Sequence, residues 1–310
     1  MIPVVAIILP LFLAVLPSGH IHAASPSVVA TIPPVHSLAA MVMAGAGTPH
    51  LLLNGGETPH SYSLRPSQSR TLASADIIVR VGNDLEGFLR KPLRALAGRA
   101  QVIDLSRLPG LVKFPNRFGS VDPHHHNGAS DNGHDRGIDP HLWLHTGNAI
   151  AVLTEIARVL SKADPDNAQV YTRNAARASI ELRSLRTEIA RILKPVKMRP
   201  FFVFHDAWQY FEKEFGLHSA GAIVVSPERK PGARRLIEIR NKIRSSRARC
   251  VFAEPQFSAA LVRTVIRGTG ARLATLDPLG AGQTRGPGLY GELMRKLAND
   301  IAFCQKERSG

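Results

Sequence analysis

The chain has 310 residues, 44% hydrophobic and 20% charged, with a formal net charge of +15. That composition excludes wholesale disorder, and the length favours two lobes over one compact unit. The basic excess raises nucleic acid as a partner. However, the arginines and lysines are spread along helical patterns, aromatic residues make up only 6%, and no aromatic–basic interleaving forms a stacking platform, so a solvated basic surface and no nucleic-acid partner are expected.

Residues 2–16 carry no charged or polar side chain, and Pro3, Pro10 and Pro17 punctuate the run. About 15 residues fall short of the roughly 20 that a membrane-spanning helix needs. With Ser18, Gly19 and the small pair Ala23 and Ala24 behind it, the run reads as a signal peptide over residues 1–24, which places the mature chain in the periplasm. It departs from the usual pattern in having no Lys or Arg ahead of the apolar core, and no cysteine follows it to carry a lipid anchor.

Short apolar runs then alternate with helical patterns. Residues 28–32, 50–53, 76–81 and 101–105 read as strands, with helical stretches over 35–43, 67–74 and 84–97 between them. A helix over 148–160 leads to a longer one, for which Asp164 fits the N-cap and Pro165 the first turn. Tyr171, Ala175, Ala178, Leu182, Leu185, Ile189 and Ile192 form one apolar stripe, with no Gly or Pro before Pro195. About 28 residues of helix span roughly 42 Å, a rigid strut. Strands return at 201–204, 220–225, 250–253 and 272–276, with helices over 207–215, 233–244, 257–267 and 290–306. The expected fold is α/β: two similar lobes with parallel four-stranded sheets, residues 25–160 and 195–310, joined by one long rigid helix over 161–194.

Residues 122–139, DPHHHNGASDNGHDRGID, have no apolar periodicity and read as a mobile surface loop. Its His124, His125, His126 and His134 either capture a metal ion weakly or are simply solvated. Cys250 opens a strand and Cys304 lies in the last helix. In an oxidising compartment the pair fits a disulfide, closing a loop of about 55 residues for roughly 4 kcal/mol; two buried free thiols are the alternative.

Four residues sit in informative places: His205 and Asp277 end strands, where an open α/β sheet binds ligands, His60 would face them from the first lobe, and His141 precedes a helix. His60 closes GGETPH, His141 sits in DPHLWL, His205 ends the strand in FFVFHDA, and Asp277 ends the strand in RLATLDPLG. Spacing alone decides nothing, because a single His is more often packed or solvated than a ligand. An Asp before Pro can likewise simply shape a turn. His36, His50, His145 and His218 are read as structural.

The segments PHSYSLRPSQ, ADIIVRVGNDLEGFL, HLWL, FVFHDAWQYFEKEFGL, CVFAEPQF and TLDPLG, with the final Cys304 helix, resemble the zinc-uptake solute-binding proteins of bacterial ABC importers, the ZnuA type. The resemblance implies two α/β lobes on a backbone helix and a metal in the cleft between them, held by His60, His141 and His205. In manganese-type relatives a carboxylate replaces the FHDA-type histidine, so His205 points to Zn(II), in keeping with imidazole as a borderline donor. Some members carry Glu directly before the first of these histidines, where this chain has Pro59. The fourth ligand therefore stays open, with Asp277 ranked first, water second and Glu57 third.

The implied function is high-affinity capture of Zn(II) and delivery to an ABC importer permease with its cytoplasmic ATPase, by a monomer that is not an enzyme. A manganese or iron binder of the same fold is the alternative, and a surface adhesin is a further one. A secreted zinc hydrolase is less favoured, because no HExxH pair is present and Glu254, the nearest candidate base, has no partner visible in the sequence.

Overall fold

A computed structural model describes residues 25–96, 98–117, 137–224 and 231–306. The expected signal peptide and His124, His125, His126 and His134 lie outside the described residues.

The first sheet contains β1 (Val28–Ala30), β2 (His50–Leu51), β3 (Ile77–Arg80) and β4 (Gln101–Asp104), all parallel, in the order β2-β1-β3-β4. Every residue of β1 and β3 is buried. Such buried runs, apolar but for Arg80, require cover on both faces, and successive residues point to opposite sides. Val28, Ala30, Ile77 and Val79 join the main core with α1 (Pro33–Met43), whereas Val29 and Ile78 pack beneath Leu72 of α2 (Pro66–Ala73) and Leu93 of α3 (Arg90–Leu96).

The second sheet repeats the pattern. Its parallel strands are β5 (Phe201–His205), β6 (Ser219–Val224), β7 (Cys250–Ala253) and β8 (Arg272–Thr275), in the order β6-β5-β7-β8. Phe201 and Val203 face the main core, where α6 (Gln209–Phe215) contributes Phe211 and Phe215. Phe202 and Phe204 pack under Ile239 and Ile243 of α7 (Ala233–Ser245) and Val262 and Val265 of α8 (Ala260–Ile266). In both sheets the chain crosses to opposite sides of the first strand, so β1/β3 and β5/β7 are the switch points where a crevice opens beyond the strand ends.

The strut runs through α5 (Ala168–Leu193), with single 3-10 turns at Pro165–Asn167 and Lys194–Val196. Its stripe is buried from Tyr171 through Ile189, but Leu193 replaces Ile192 as the last buried position. A 3.5-residue pattern drifts around a 3.6-residue helix, which accounts for the one-residue shift. Asp164 is not the side-chain cap expected of it; its carboxylate instead accepts from Tyr171 Oη at 2.7 Å and Asn167 Nδ2 at 2.8 Å. The helix is not a free rod either. It packs against α1, α4 (Thr146–Ala163) and α9 (Leu289–Gln305), and one continuous core joins them to the inner faces of both sheets.

Cys250 and Cys304 form a disulfide with Cα atoms 6.2 Å apart, tying the start of β7 to the end of α9. Several helix bounds differ from expectation. The 84–97 pattern divides into a 3-10 turn at Gly87–Leu89 and α3, with Pro92 inside the first turn of α3, where a missing N–H costs little. No helix among the described residues is long and apolar enough to cross a membrane.

Candidate metal centre

His205 is the last residue of β5, and Glu254 follows the last residue of β7, so both stand at the switch point of the second sheet. His205 Nδ1 lies 2.7 Å from Glu254 Oε1, and the His205 backbone N–H donates to the same oxygen at 3.3 Å. His141 is arranged in the same way. Asp139 Oδ1 accepts its backbone N–H at 3.0 Å and lies 2.8 Å from its Nδ1. The 3-10 turn Leu142–Leu144 that follows buries all three of its residues, and Trp143 Nε1 donates to the Pro278 carbonyl at 2.9 Å, which anchors the segment. His60 comes from the other side of the crevice, in the 3-10 turn Pro59–Ser61, with Thr58 Oγ1 accepting its backbone N–H at 3.3 Å.

The three rings converge. Their centroids are 5.5 Å (His60–His141), 5.6 Å (His60–His205) and 5.2 Å (His141–His205) apart, close to an equilateral triangle. One ligand nitrogen from each can be chosen so that all lie within 4.8 Å of one another. Among the described residues, no other group of three or more His, Cys, Asp or Glu side chains converges in this way.

A carboxylate beside Nδ1 favours the Nδ1–H tautomer and leaves the lone pair on Nε2. Two such Nε2 atoms, of His141 and His205, face each other at 3.3 Å. A tetrahedral zinc with Zn–N of about 2.05 Å sets its nitrogens about 3.3 Å apart, so the donor set fits that ion. His141 and His205 are buried, while His60 is half-buried. Leu85, Trp143, Phe257, Pro278 and Leu279 give the crevice a largely apolar wall.

The electrostatics divide the trio. Burial and the neighbouring imidazoles of His141 and His205 push the His60 pKa well below 6.5, which keeps that ring neutral. Burial acts in the same direction on His205, but the carboxylates of Glu254, Asp206 and Asp139 outweigh it and raise its pKa. Burial also works against an ionised Asp139, yet its bonds to His141 and Gln209 hold its pKa below the usual value. Behind His205, Arg117 Nε donates to Asp206 Oδ2 at 2.9 Å and Nη1 to Glu212 Oε2 at 2.8 Å, so one guanidinium is shared by two further acids.

Asp277 does not join the three histidines. Its Oδ1 accepts from Gln256 Nε2 at 2.9 Å and the Leu279 N–H at 3.0 Å, and its Oδ2 from the Ala281 N–H at 2.6 Å, so it shapes the turn after β8. Glu57 is also elsewhere, paired with Arg65 at 3.4 Å. His145 Nδ1 caps α4 by accepting the Asn148 N–H at 3.3 Å, and His36 Nε2 lies 3.0 Å from the Pro49 carbonyl.

Two acids depart from what the sequence suggests. Glu254 has a partner after all, His205. Asp139 is not part of a solvated loop but only 2% exposed. The chain is back in the protein by Ile138, which bridges to Pro115, and Asp139 is bound further by Gln209 Nε2 at 3.0 Å and, through its carbonyl, by Tyr210 Oη at 3.0 Å. The signal was present in DPH, since an Asp readily accepts the N–H two residues on.

Residues 28–304 match the family described as zinc-uptake complex component A, periplasmic. The chain is 40% identical over 303 residues to the high-affinity zinc uptake system protein ZnuA of Brucella abortus (strain 2308), covering 89% of this chain and 91% of that protein. It is 37% identical over 304 residues to the protein of the same name from Yersinia pestis, covering 94% and 95%. A crystal structure of a ZnuA deletion mutant with zinc bound matches the fold with a TM-score of 0.77 at 26% identity, covering 92% of this chain and 99% of that one.

Proposed function

Because the chain belongs to the family of periplasmic zinc-uptake component A proteins, we propose that it captures one Zn(II) through His60, His141 and His205 and delivers it to an ABC importer permease served by a cytoplasmic ATPase. The observation that carries this reading is the 3.3 Å separation of two Nε2 atoms whose rings are each held by a carboxylate at Nδ1. That spacing suits two corners of one tetrahedral ion, and neutral imidazole suits zinc better than manganese, which favours oxygen donors. Water takes the fourth vertex, since Asp277 and Glu57 are engaged elsewhere.

The family consists of solute-binding proteins, and the reading as a carrier agrees with the placement of Glu254. Glu254 Oε1 serves the His205 ring and its backbone N–H, a positioning role that a carrier site accounts for without any catalytic base. Export to the periplasm is served by residues 1–24 as a signal peptide. Residues 25–160 and 195–310 act as the two lobes on the helix over 161–194, and the protein works as a monomer that presents one lobe to each half of the permease.

Competitive calorimetry of the metal-free protein with Zn(II) and Mn(II) tests this. One tight zinc site that manganese does not displace, and that His205→Ala abolishes, is expected. Tight binding that survives in His205→Ala would assign the ion to other residues.

A further inference from the structure

Two of the three imidazoles are oriented by acids and the third is not. His141 and His205 each present Nδ1 to a buried carboxylate. Among the described residues, His60 is hydrogen-bonded through its backbone N–H alone. The placement of its ring therefore depends on packing against His141 and His205 and on the backbone that carries it. That backbone runs through Gly55 and Gly56, whose conformational freedom gives it little preference of its own.

Besides the local ties of Thr58 and of Glu57 to Arg65, this segment is held from across the crevice. Gln256 Nε2 donates to the Gly55 carbonyl at 2.8 Å and to Asp277 Oδ1 at 2.9 Å. Asp277 in turn holds the backbone of Leu279 and Ala281, against which Gly55 lies. A Cβ at Gly55 would stand 3.4 Å from the Leu279 carbonyl oxygen, 3.5 Å from Ala281 Cα and 3.0 Å from Pro33 Cγ, and Gly55 has φ of +79°. Arg285 makes a second crossing, with Nη1 donating to the Gly280 carbonyl at 2.9 Å and Nη2 to the Asn54 carbonyl.

We propose that Gln256 and Asp277 form a clasp on the His60 segment, positioning His60 across the crevice and thereby setting how long zinc is retained, without touching the ion. This rests on the metal site proposed above. It gives the acid at the end of β8 a role that ligation does not supply. With the clasp closed, all three imidazoles reach the ion. With it open, the Gly55–Gly56 segment is free to carry His60 away and leave two ligands, from which zinc escapes.

The test is zinc release into excess chelator, followed by stopped flow, together with the visible spectrum of the Co(II)-loaded protein. Gln256→Met keeps the bulk and removes the donor; Asp277→Asn keeps the shape and removes the charge. Each is expected to raise the release rate about tenfold, as for loss of one hydrogen bond. The double variant should be little faster than Gln256→Met alone, because without Gln256 the turn that Asp277 shapes is no longer tied through it to Gly55. The Co(II) bands and the melting temperature of the metal-free protein should stay near wild type.

A Gln256→Met release rate within about twofold of wild type would overturn the clasp. So would a Co(II) spectrum that changes in Asp277→Asn and not in Gln256→Met, since that marks Asp277 as a ligand. If Asp277→Asn does not fold, Gln256→Met decides alone. Failure of the wild-type protein to bind zinc would instead overturn the metal site, and the clasp with it.

Discussion

Asp139 and Glu254 stand in the same relation to different histidines, and each can be altered without touching a proposed ligand. Asp139→Asn and Glu254→Gln keep the side-chain volume but give up the charge and the clear preference for Nδ1–H. Each is expected to weaken zinc binding by about 10–100-fold, the usual cost of removing the acid behind a metal-bound His. Chelator competition measures it, and an unchanged affinity in both variants would mean that the acids do not orient the rings.

Protons compete with zinc for the same nitrogens. The raised pKa of His205 means that this ring gains a proton above pH 6.5 as the pH is lowered, whereas His60, pushed down by burial, stays neutral to well below that. Zinc affinity should therefore begin to fall above pH 6.5 and steepen further down. Titrations from pH 8 to pH 5.5 follow this, and an affinity flat across that interval contradicts it. The three histidines that converge stand out in the sequence because their flanking segments are distinctive. The role of Glu254 is not, because it lies 49 residues from His205 and only β5–β7 pairing brings them together. Asp277 ranks as a ligand in the sequence because it ends a strand beside the crevice; in the structure its carboxylate accepts the N–H groups of the turn after β8, as an Asp before Pro can.

The strands are the most readable elements, since a short, unbroken apolar run between turn residues suits a strand covered on both faces. Helix ends are read less well. The sequence pattern starts a helix at Phe257, but α8 begins at Ala260 and the Phe257 ring stacks on Phe204, with centroids 4.8 Å apart. The disulfide joins β7 to α9, and α9 also packs against α1 and α5. Reducing it frees a closed loop of 54 residues in sequence separation, for an expected loss of about 4 kcal/mol. Denaturant unfolding with and without reductant measures this, and a midpoint indifferent to reductant would show that packing alone holds α9.

Two similar four-stranded parallel sheets are expected from the sequence, and the structure has them, with the same strand order in each. What the sequence does not convey is how closely they are joined. A repeating apolar stripe says that a helix has a buried face but not what covers it. Here α1, α4 and α9 cover it, and the core is continuous between the sheets. The three histidines are drawn from segments far apart in the chain and meet at the crevice.

X-ray absorption at the zinc edge, on protein loaded with one equivalent, reads that meeting point directly. The expected spectrum contains three imidazole nitrogens at about 2.0 Å with one further light atom, and it loses an imidazole in each of His60→Ala, His141→Ala and His205→Ala. A shell dominated by carboxylate oxygen, or a wild-type spectrum that survives all three substitutions, would contradict the site.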